Sequence, residues 1–194
     1  MNHSVARVAI VTGAARGLGR SIAEALAVQG VDLMLVDILA DRLEETRAAI
    51  VASGVRCEAF ATDISQRANC VAAVDATLAA FGKLDVLINA AGLMRFNHAL
   101  EVPEDEFWRI MQVNAAAPLW FCQAAIPHLL KTQGNIVNVL SQSALMGTSY
   151  LLPYGMSKAA ALQLTKSLAV EYVEQPIRIN AVAPGSMMTE IASE

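Results

Sequence analysis

The sequence has no basic region, no long apolar run and no cysteine cluster, and each absence excludes a class of protein. Of its 194 residues, 14 are Lys or Arg and 18 are Asp or Glu, which leaves a formal net charge of -4. The basic residues are scattered singly, so the chain lacks the positive surface that attracts nucleic acid. The apolar runs are short and end at Gly, Asp or Asn, and none is long enough to cross a bilayer. We therefore expect neither a nucleic-acid partner nor a membrane partner.

Cysteine is rare: the three residues, Cys57, Cys70 and Cys122, lie far apart. They form no CxxC pair and no Cys/His ligand spacing, so we predict neither a disulfide framework nor a metal site. The first seven residues lead into a strand without a small-residue cleavage site, which argues against a secretory signal. Reduced thiols and a cytoplasmic location are the expectation.

Along the sequence, short β-branched runs alternate with stretches of helical pattern. A hydrophobic fraction of 55% and a charged fraction of 16% are typical of a folded chain, and the length suits a single domain spanning residues 1–194. Strands are predicted at residues 8–11, 33–36, 55–61, 85–89, 135–140 and 177–183. Helices are predicted at 19–29, 41–52, 66–80, from about 103 onward, and at 151–173.

This alternation predicts an α/β fold. Strands joined by helices of this length form right-handed βαβ units, which give a parallel sheet with helices on both faces. The expected architecture is a Rossmann-type, doubly wound parallel sheet in three αβα layers. Such sheets bind ligands at the carboxyl ends of their strands, and the motifs of this sequence fall at those ends.

Prolines shape the long helical stretch that follows β-strand four. Pro103 and the acidic residues 104–106 are typical of a helix start, with Pro at the first helical position and carboxylates facing the positive end of the dipole. A metal or partner site is the less favoured alternative for the acidic residues. Pro118 and Pro127 lie further along, and we expect them to bend or break the helix.

A glycine-rich turn, Thr12 to Gly19, joins the first strand to the first helix. Glycines let the backbone approach a pyrophosphate closely, and the helix N-terminus offers free N–H groups and a positive dipole end. The spacing is GxxxGxG rather than the general GxGxxG pattern. A turn without a ligand is the alternative, but the strand–turn–helix context favours a dinucleotide site.

Asp37 ends the second predicted strand and bears on the choice of cofactor. A carboxylate there accepts hydrogen bonds from the adenosine ribose hydroxyls and repels a 2′-phosphate, which favours NAD over NADP. The next residue, Ile38, carries no charge. Arg16 argues the other way, since it could reach a 2′-phosphate. We predict NAD, with NADP as the alternative.

Tyr154 and Lys158 lie four residues apart at the start of a predicted helix and therefore share one face. A free tyrosine has a pKa of about 10, and a nearby ammonium stabilises the phenolate, which brings the group towards the range of a general acid/base. Ser141, at the end of the fifth strand, is a candidate donor to the substrate oxygen, with Ser143 as the second candidate. Asn114, in the long helix, is a candidate to order a water in a proton relay.

Together these motifs resemble those of the classical short-chain dehydrogenases/reductases. The matching segments run along nearly the whole chain and comprise Thr12 to Gly19, Asp37, Asp63, Asn89 to Gly92, Asn114, Ser141, Tyr154 to Lys158, and Pro184 to Thr189. The resemblance implies an oxidoreductase that transfers a hydride between a nicotinamide dinucleotide and a secondary alcohol or ketone.

The resemblance also implies a role for each residue. Tyr154 would be the catalytic acid/base. Lys158 would hold the cofactor ribose and lower the pKa of the tyrosine. Ser141, preferred over Ser143, would position the substrate, and Asn114 would support the relay. The implied cofactor contacts are Gly13, Arg16, Gly17, Leu18, Gly19, Asp37, Asp63, Ile64, Asn89, Ala90, Gly92, Tyr154, Lys158, Pro184, Gly185 and Thr189, with Asp63 and Ile64 at the adenine and Thr189 at the carboxamide.

The sequence departs from the family pattern in two places. Ala90 stands where many members carry a second asparagine. The chain also stops at Glu194, so we expect it to lack the substrate-covering segment, the last helix and the last strand. A non-catalytic dinucleotide-binding module, or an inactive fragment, is therefore the alternative to an active enzyme.

The expected partners are a small alcohol or carbonyl substrate and further copies of the chain. In the family, the helices after strands four and five build the oligomer faces, which implies a homodimer or homotetramer. The candidate contacts are Trp108, Trp120, Phe121 and Leu162, with core packing as the alternative. Apolar side chains expected near the substrate are Leu93, Met94, Met146, Leu151, Met187 and Met188. Arg95 is expected either to meet a substrate carboxylate or to face solvent.

Overall fold

A six-stranded parallel sheet forms the centre of the computed structural model, which describes residues 6–185. The strands are β1 (Val8–Thr12), β2 (Asp32–Asp37), β3 (Cys57–Ala61), β4 (Val86–Asn89), β5 (Asn135–Val139) and β6 (Arg178–Val182). They pair in the order β3-β2-β1-β4-β5-β6, and every pairing is parallel. The chain changes direction across the sheet between β1 and β4, which is the switch point where this architecture binds ligands.

Helices cover both faces of the sheet. They are α1 (Gly17–Val28), α2 (Ala40–Val51), α3 (Arg67–Phe81), α4 (Glu104–Met111), α5 (Ala117–Thr132) and α6 (Leu152–Glu171), with a π-helical turn at Gln112–Ala116 and a 3₁₀ turn at Gln142–Ala144. One apolar layer lies between the sheet and α1 and α2, and a second between the sheet and α3, α5 and α6. The prediction of a doubly wound, three-layer α/β fold is confirmed. In residues 6–185 no helix combines the length and the apolarity needed to cross a membrane.

Strand β1 shows why the sequence folds in this way. All five of its residues are buried, because helices cover both of its faces. Ala9 and Val11 belong to the layer under α1 and α2, whereas Ile10 belongs to the opposite layer. A strand buried on both faces therefore reads as a continuous apolar run rather than an alternating one. The three cysteines are free thiols, also buried in these layers.

The start of α4 corrects one detail of the sequence analysis. Pro103 is the residue before the helix rather than the first helical residue, since its ψ of 142° is extended. Glu104, Asp105 and Glu106 then occupy the first turn. Their carboxylates face the positive end of the helix dipole, as expected for a helix start.

Pro118 and Pro127 are expected to bend or break the long helix, and the α-helical run is indeed interrupted just before Pro118, whereas α5 continues through Pro127. Pro127 lies inside α5, and Pro118 lies in its first turn, directly after the π-helical turn. A proline has no N–H to donate four residues back, so the α-helical ladder must be interrupted at residue 114 in any case. The interruption is taken up by the π turn, in which the Ala117 N–H donates to the Gln112 carbonyl instead. The backbone is wider over this one turn, and α5 continues after it.

Candidate active site

A cleft of about 500 Å³ lies at the carboxyl ends of the strands around the switch point. Its walls come from the glycine-rich turn, the ends of β2 and β3, the loop after β4 and the first turns of α6. Twelve of the predicted site residues line it: Gly13, Arg16, Gly17, Leu18, Gly19, Asp37, Asp63, Ile64, Ala90, Gly92, Tyr154 and Lys158. The fold thus collects residues from distant segments of the sequence into one cavity.

Two glycines of the turn are required by close backbone packing. Gly13 has a φ of +69°, and a Cβ there would lie 2.7 Å from the Ala91 Cα. A Cβ on Gly19 would lie 2.1 Å from the Gly13 carbonyl oxygen. The Thr12 hydroxyl oxygen accepts the Ala90 and Ala91 N–H groups at 3.0 Å and so fastens the turn to the loop after β4. These contacts press α1 against β1 and point its N-terminus into the cleft.

The N-terminus of α1 suits an anionic group. Arg16, the residue before the helix, makes no side-chain capping hydrogen bond. The first N–H groups of a helix have no partner within it, and the dipole makes this end positive. Together with the absence of Cβ atoms at Gly13 and Gly19, this arrangement fits the pyrophosphate of a dinucleotide.

Asp37 is held rigidly at one end of the cleft. Its Oδ2 accepts the Ala15 N–H at 3.0 Å, and its Oδ1 accepts the Leu39 N–H at 3.1 Å. Both bonds come from backbone groups, so the carboxylate keeps its orientation as long as the turn and the start of α2 keep theirs. Ile38, the next residue, is exposed. The carboxylate therefore stands as a fixed acceptor at the end of β2.

Asp63, after β3, is paired with Arg109 of α4, a residue that the sequence analysis did not single out. The Arg109 Nη1 lies 2.8 Å from the Asp63 Oδ2 and also donates to the Ser65 hydroxyl. Burial would raise the pKa of Asp63, but the hydrogen bonds from Arg109 and Ser65 outweigh it and lower that pKa. No motif points to Arg109, because the pairing spans 46 positions of the sequence.

Lys158 is buried beside Tyr154, as their spacing of four residues predicted. The Lys158 Nζ lies 5.8 Å from the centre of the Tyr154 ring and donates to the Val139 carbonyl at 2.8 Å. Burial lowers the pKa of Lys158 to about 8. The lysine is therefore still mainly protonated at neutral pH, but far closer to losing its proton than a lysine in water.

Ser141 is the serine in contact with the tyrosine. Burial raises the pKa of Tyr154, and a hydrogen bond with the Ser141 side chain opposes that shift. Ser143 instead pairs its hydroxyl with Thr148 at 3.1 Å. Ser141 takes its position because it precedes the 3₁₀ turn and accepts the Ser143 N–H at 3.2 Å. The Ser141 hydrogen bond thus favours the phenolate form of Tyr154.

Asn114 lies in the π turn and holds the loop after β4 in place. Its Oδ1 accepts the Leu93 N–H and its Nδ2 donates to the Leu93 carbonyl, both at 2.8 Å. The Nδ2 also donates to the Ser157 hydroxyl at 3.0 Å. The amide therefore joins the cleft loop to α6, and a role for Asn114 in a proton relay stays a prediction.

Several other predicted residues lie apart from the cleft lining. Asn89 is buried and donates to the Asn138 Oδ1 at 2.8 Å. The Pro184 carbonyl accepts the Gln142 N–H at 2.9 Å, and Gly185 lies beside the Gln142 side chain. Cofactor contacts by Asn89, Pro184 and Gly185 stay a prediction. Thr189, Met187 and Met188 lie outside the described residues.

The remaining candidates divide between cleft, surface and core. Leu93 and Arg95 line the cleft, and an Arg95 Nη1 donates to the Met94 carbonyl at 3.0 Å. Met146 is exposed and Leu151 is buried. Among the four candidate contacts between copies of the chain, Phe121 is fully buried in the core, Trp120 and Leu162 are half-buried, and Trp108 is 54% exposed.

Comparisons with known proteins bear on the family of the chain. The family model described as short chain dehydrogenase matches residues 7–194. The 2-(R)-hydroxypropyl-CoM dehydrogenase of Xanthobacter autotrophicus is 38% identical over 190 residues, which cover 95% of this chain and 76% of that protein.

Two solved structures are also similar. A short chain dehydrogenase/reductase from Burkholderia phymatum in complex with NAD has 29% identity and a TM-score of 0.94, over 100% of this chain and 70% of that one. An alcohol dehydrogenase from Thermococcus sibiricus complexed with 5-hydroxy-NADP has 30% identity and a TM-score of 0.91, over 95% of this chain and 78% of that one. Cleft, motifs and relatives agree, and the chain belongs to the short-chain dehydrogenase family of oxidoreductases.

Proposed function

We propose that this chain oxidises a secondary alcohol, or reduces the matching ketone, with a nicotinamide dinucleotide, and that it prefers NAD to NADP. The observation that carries the proposal is the contact of Tyr154 with both Ser141 and Lys158 at one end of the cleft, while the glycine-rich turn and Asp37 form the other end. When bound, the nicotinamide would supply or accept the hydride, and the protein would manage the proton.

Tyr154 is the proposed acid/base. Its hydroxyl gives a proton to the substrate oxygen during reduction and takes it back during oxidation. Without substrate, the single hydroxyl proton of Ser141 is donated to Tyr154 and favours the phenolate. With substrate bound, Ser141 donates that proton to the substrate oxygen instead. Lys158 places a positive charge near the ring, and that charge is lost as the pH rises above about 8.

The proposed preference for NAD is supported by Asp37. Its carboxylate is fixed by two backbone N–H groups and lines the cleft. A ribose with two free hydroxyls can donate to it, whereas a 2′-phosphate would be repelled. The alternative is supported by Arg16, which also lines the cleft. The two solved relatives include one complex with NAD and one with an NADP derivative.

The proposed oligomer is a homodimer or homotetramer that uses the outer surface of α4 and the start of α6. There, a groove of about 390 Å³ is bounded mostly by apolar side chains: Ala99, Val102, Phe107, Trp108, Leu152, Pro153 and Met156, with Glu104 at its edge. Trp108, Leu152 and Met156 are each about half exposed. Large apolar side chains gathered on one surface are typical of protein contacts.

The experiment that tests the proposed function compares the natural chain with Tyr154→Phe. The natural chain should bind NADH and reduce members of a ketone panel. Tyr154→Phe should lose at least about 10³-fold in turnover, because no group remains to move the proton, and should bind NADH as before. Wild-type turnover by Tyr154→Phe would refute the proposed acid/base.

A non-catalytic dinucleotide-binding module is the second candidate, and the same experiment separates it from the first. Tight NADH binding by the natural chain, with no turnover of any ketone or alcohol in the panel, would favour that candidate. Absence of both binding and turnover would exclude both candidates for this chain.

A further inference from the structure

The pair formed by Asp63 and Arg109 crosses one end of the cleft. Asp63 follows β3, and Arg109 lies in the last turn of α4, yet both line the same cavity. The Arg109 Nη1 and the Asp63 Oδ2 are 2.8 Å apart. Both side chains are only about one third exposed. The pair is therefore built into the wall of the cleft rather than lying free on the surface.

The turn that carries Asp63 is anchored on its other side by α3. The Asp63 carbonyl accepts the Asn69 Nδ2 at 2.9 Å, and the Ile64 carbonyl accepts the Cys70 thiol at 3.2 Å. Arg109 adds the connection to α4, and its second bond to Ser65 fixes the turn at two points. The turn is thus held between two helices, with Ile64 lining the cleft.

The pair also sets the charge at this end of the cleft. Asp37 and Asp63 are both acidic and both line the cavity. The Arg109 guanidinium compensates the Asp63 carboxylate, which reduces the negative charge that an incoming nucleotide meets. An anionic dinucleotide is repelled less when one of the two carboxylates is compensated in this way.

We propose that Arg109 is a positioning residue for the adenosine half of the cofactor: it fixes Asp63 and the turn at residues 62–65 in the shape that receives the adenine. This inference rests on the proposed cofactor. Arg109 then acts through Asp63 and Ser65, and its removal should weaken nucleotide binding although it takes no part in proton transfer.

The test measures the Kd values of NADH and of AMP for the natural chain, Arg109→Met and Arg109→Lys. AMP carries the adenosine half alone. In Arg109→Met, both Kd values should rise by the same factor, about 5- to 10-fold, which is the scale for losing a half-exposed charge-assisted hydrogen bond. Arg109→Lys should recover part of the loss, because its ammonium can still reach Asp63 but cannot also reach Ser65 at the same geometry.

A double variant and a matched control complete the design. Asp63→Asn combined with Arg109→Met should be no worse than the poorer single variant, because the two residues act as one unit. Arg47→Met removes a similar arginine–carboxylate pair, with Glu44, on the surface of α2 away from the cleft. It should leave both Kd values unchanged.

The outcomes are distinct. If the natural chain binds neither NADH nor AMP, the proposed function itself fails. If it binds both and Arg109→Met binds them equally well, the positioning role is refuted and the proposed function stands. Weaker binding of NADH with unchanged binding of AMP would also refute the positioning role. The same holds if Arg109→Met binds both nucleotides normally at a temperature where it is fully folded.

Discussion

At the scale of single residues, the most costly feature of the site is the ammonium of Lys158. It is almost fully buried, and its one described hydrogen bond runs to the Val139 carbonyl. Burial lowers its pKa from 10.5 to about 8. A charge placed in this way costs folding free energy, and a protein retains such a charge mainly where it has a function.

We expect Lys158→Met to make the protein more stable and inactive. Between pH 8 and 10.5 the unfolded chain binds more protons at this lysine than the folded one, so stability of the natural chain rises with pH across that window. Below about pH 8 the lysine is protonated in both states, so the buried charge lowers the stability of the folded chain by its full amount. Lys158→Met should therefore gain about 1–2 kcal/mol in the free energy of unfolding at pH 7. Denaturant titrations at pH 7 and pH 10.5 check this.

The pH dependence is the decisive part of that comparison. The advantage of Lys158→Met should shrink towards zero by pH 10.5, where the folded-state lysine is neutral and its unfolded counterpart is losing its proton. A constant advantage at all pH values would show that packing rather than charge is responsible.

The second prediction for single residues concerns Asp37 and the choice between NAD and NADP. The natural chain should bind NADH more tightly than NADPH, by about tenfold or more, because the fixed carboxylate repels a 2′-phosphate. Asp37→Asn with Ile38→Arg should reverse the order. The amide removes the repelling charge and keeps one of the two backbone hydrogen bonds, and the arginine can pair with the phosphate. Parallel fluorescence titrations measure both constants. An unchanged order in the double variant would refute the role given to Asp37. Tighter binding of NADPH by the natural chain would favour Arg16 instead.

Some of these residues were predictable from the sequence and others were not. Tyr154 and Lys158 share a helix face, so their spacing alone predicts that they lie together. Asp37 is predictable because a strand end is a local feature. The pairing of Arg109 with Asp63 and the two hydrogen bonds of Asn114 with Leu93 join distant segments, and nothing local in the sequence indicates them.

At the scale of elements, the glycine-rich turn combines fold and function. We expect Gly19→Ala to destabilise the chain by about 1–3 kcal/mol and to weaken NADH binding, because its Cβ would meet a backbone carbonyl that cannot move without displacing α1. Gly147→Ala is the matched control, since no atom lies within 4 Å of its Cβ position. Thermal unfolding and NADH titration of both variants check this. Equal effects from the two substitutions would contradict it.

The strands were predicted closely from the sequence, including their ends. Each predicted strand lies within two residues of its observed bounds, because apolar runs and turn residues are local signals. The interruption of the long helix near Pro118 follows from the general rule about proline, but its form as a π turn and the continuity of α5 through Pro127 do not. The π turn and the packing of α5 in the core tolerate both prolines, and that tolerance depends on tertiary structure.

At the scale of the whole molecule, the surface around Trp108 carries the prediction for oligomeric state. We expect the natural chain to form dimers or tetramers, and Trp108→Glu to shift it towards monomers, because a charge there would be buried without a partner. Val28→Glu is the control, since Val28 is 83% exposed on α1, outside that groove. Light scattering after size exclusion measures the masses. A natural chain that is monomeric at all concentrations would refute the assignment.

The buried thiols allow local opening of the protein to be measured by chemical labelling. Cys57 in β3, Cys70 in α3 and Cys122 in α5 each have a pKa raised to about 12 by burial. An alkylating reagent at pH 8 reacts with thiolates, so it should label each cysteine only when its surroundings open. The three rates would then read the local opening of three separate elements. The Cys70 thiol donates a hydrogen bond to the carbonyl of Ile64, which lines the cleft. A bound nucleotide should therefore slow the labelling of Cys70 more than that of the other two cysteines.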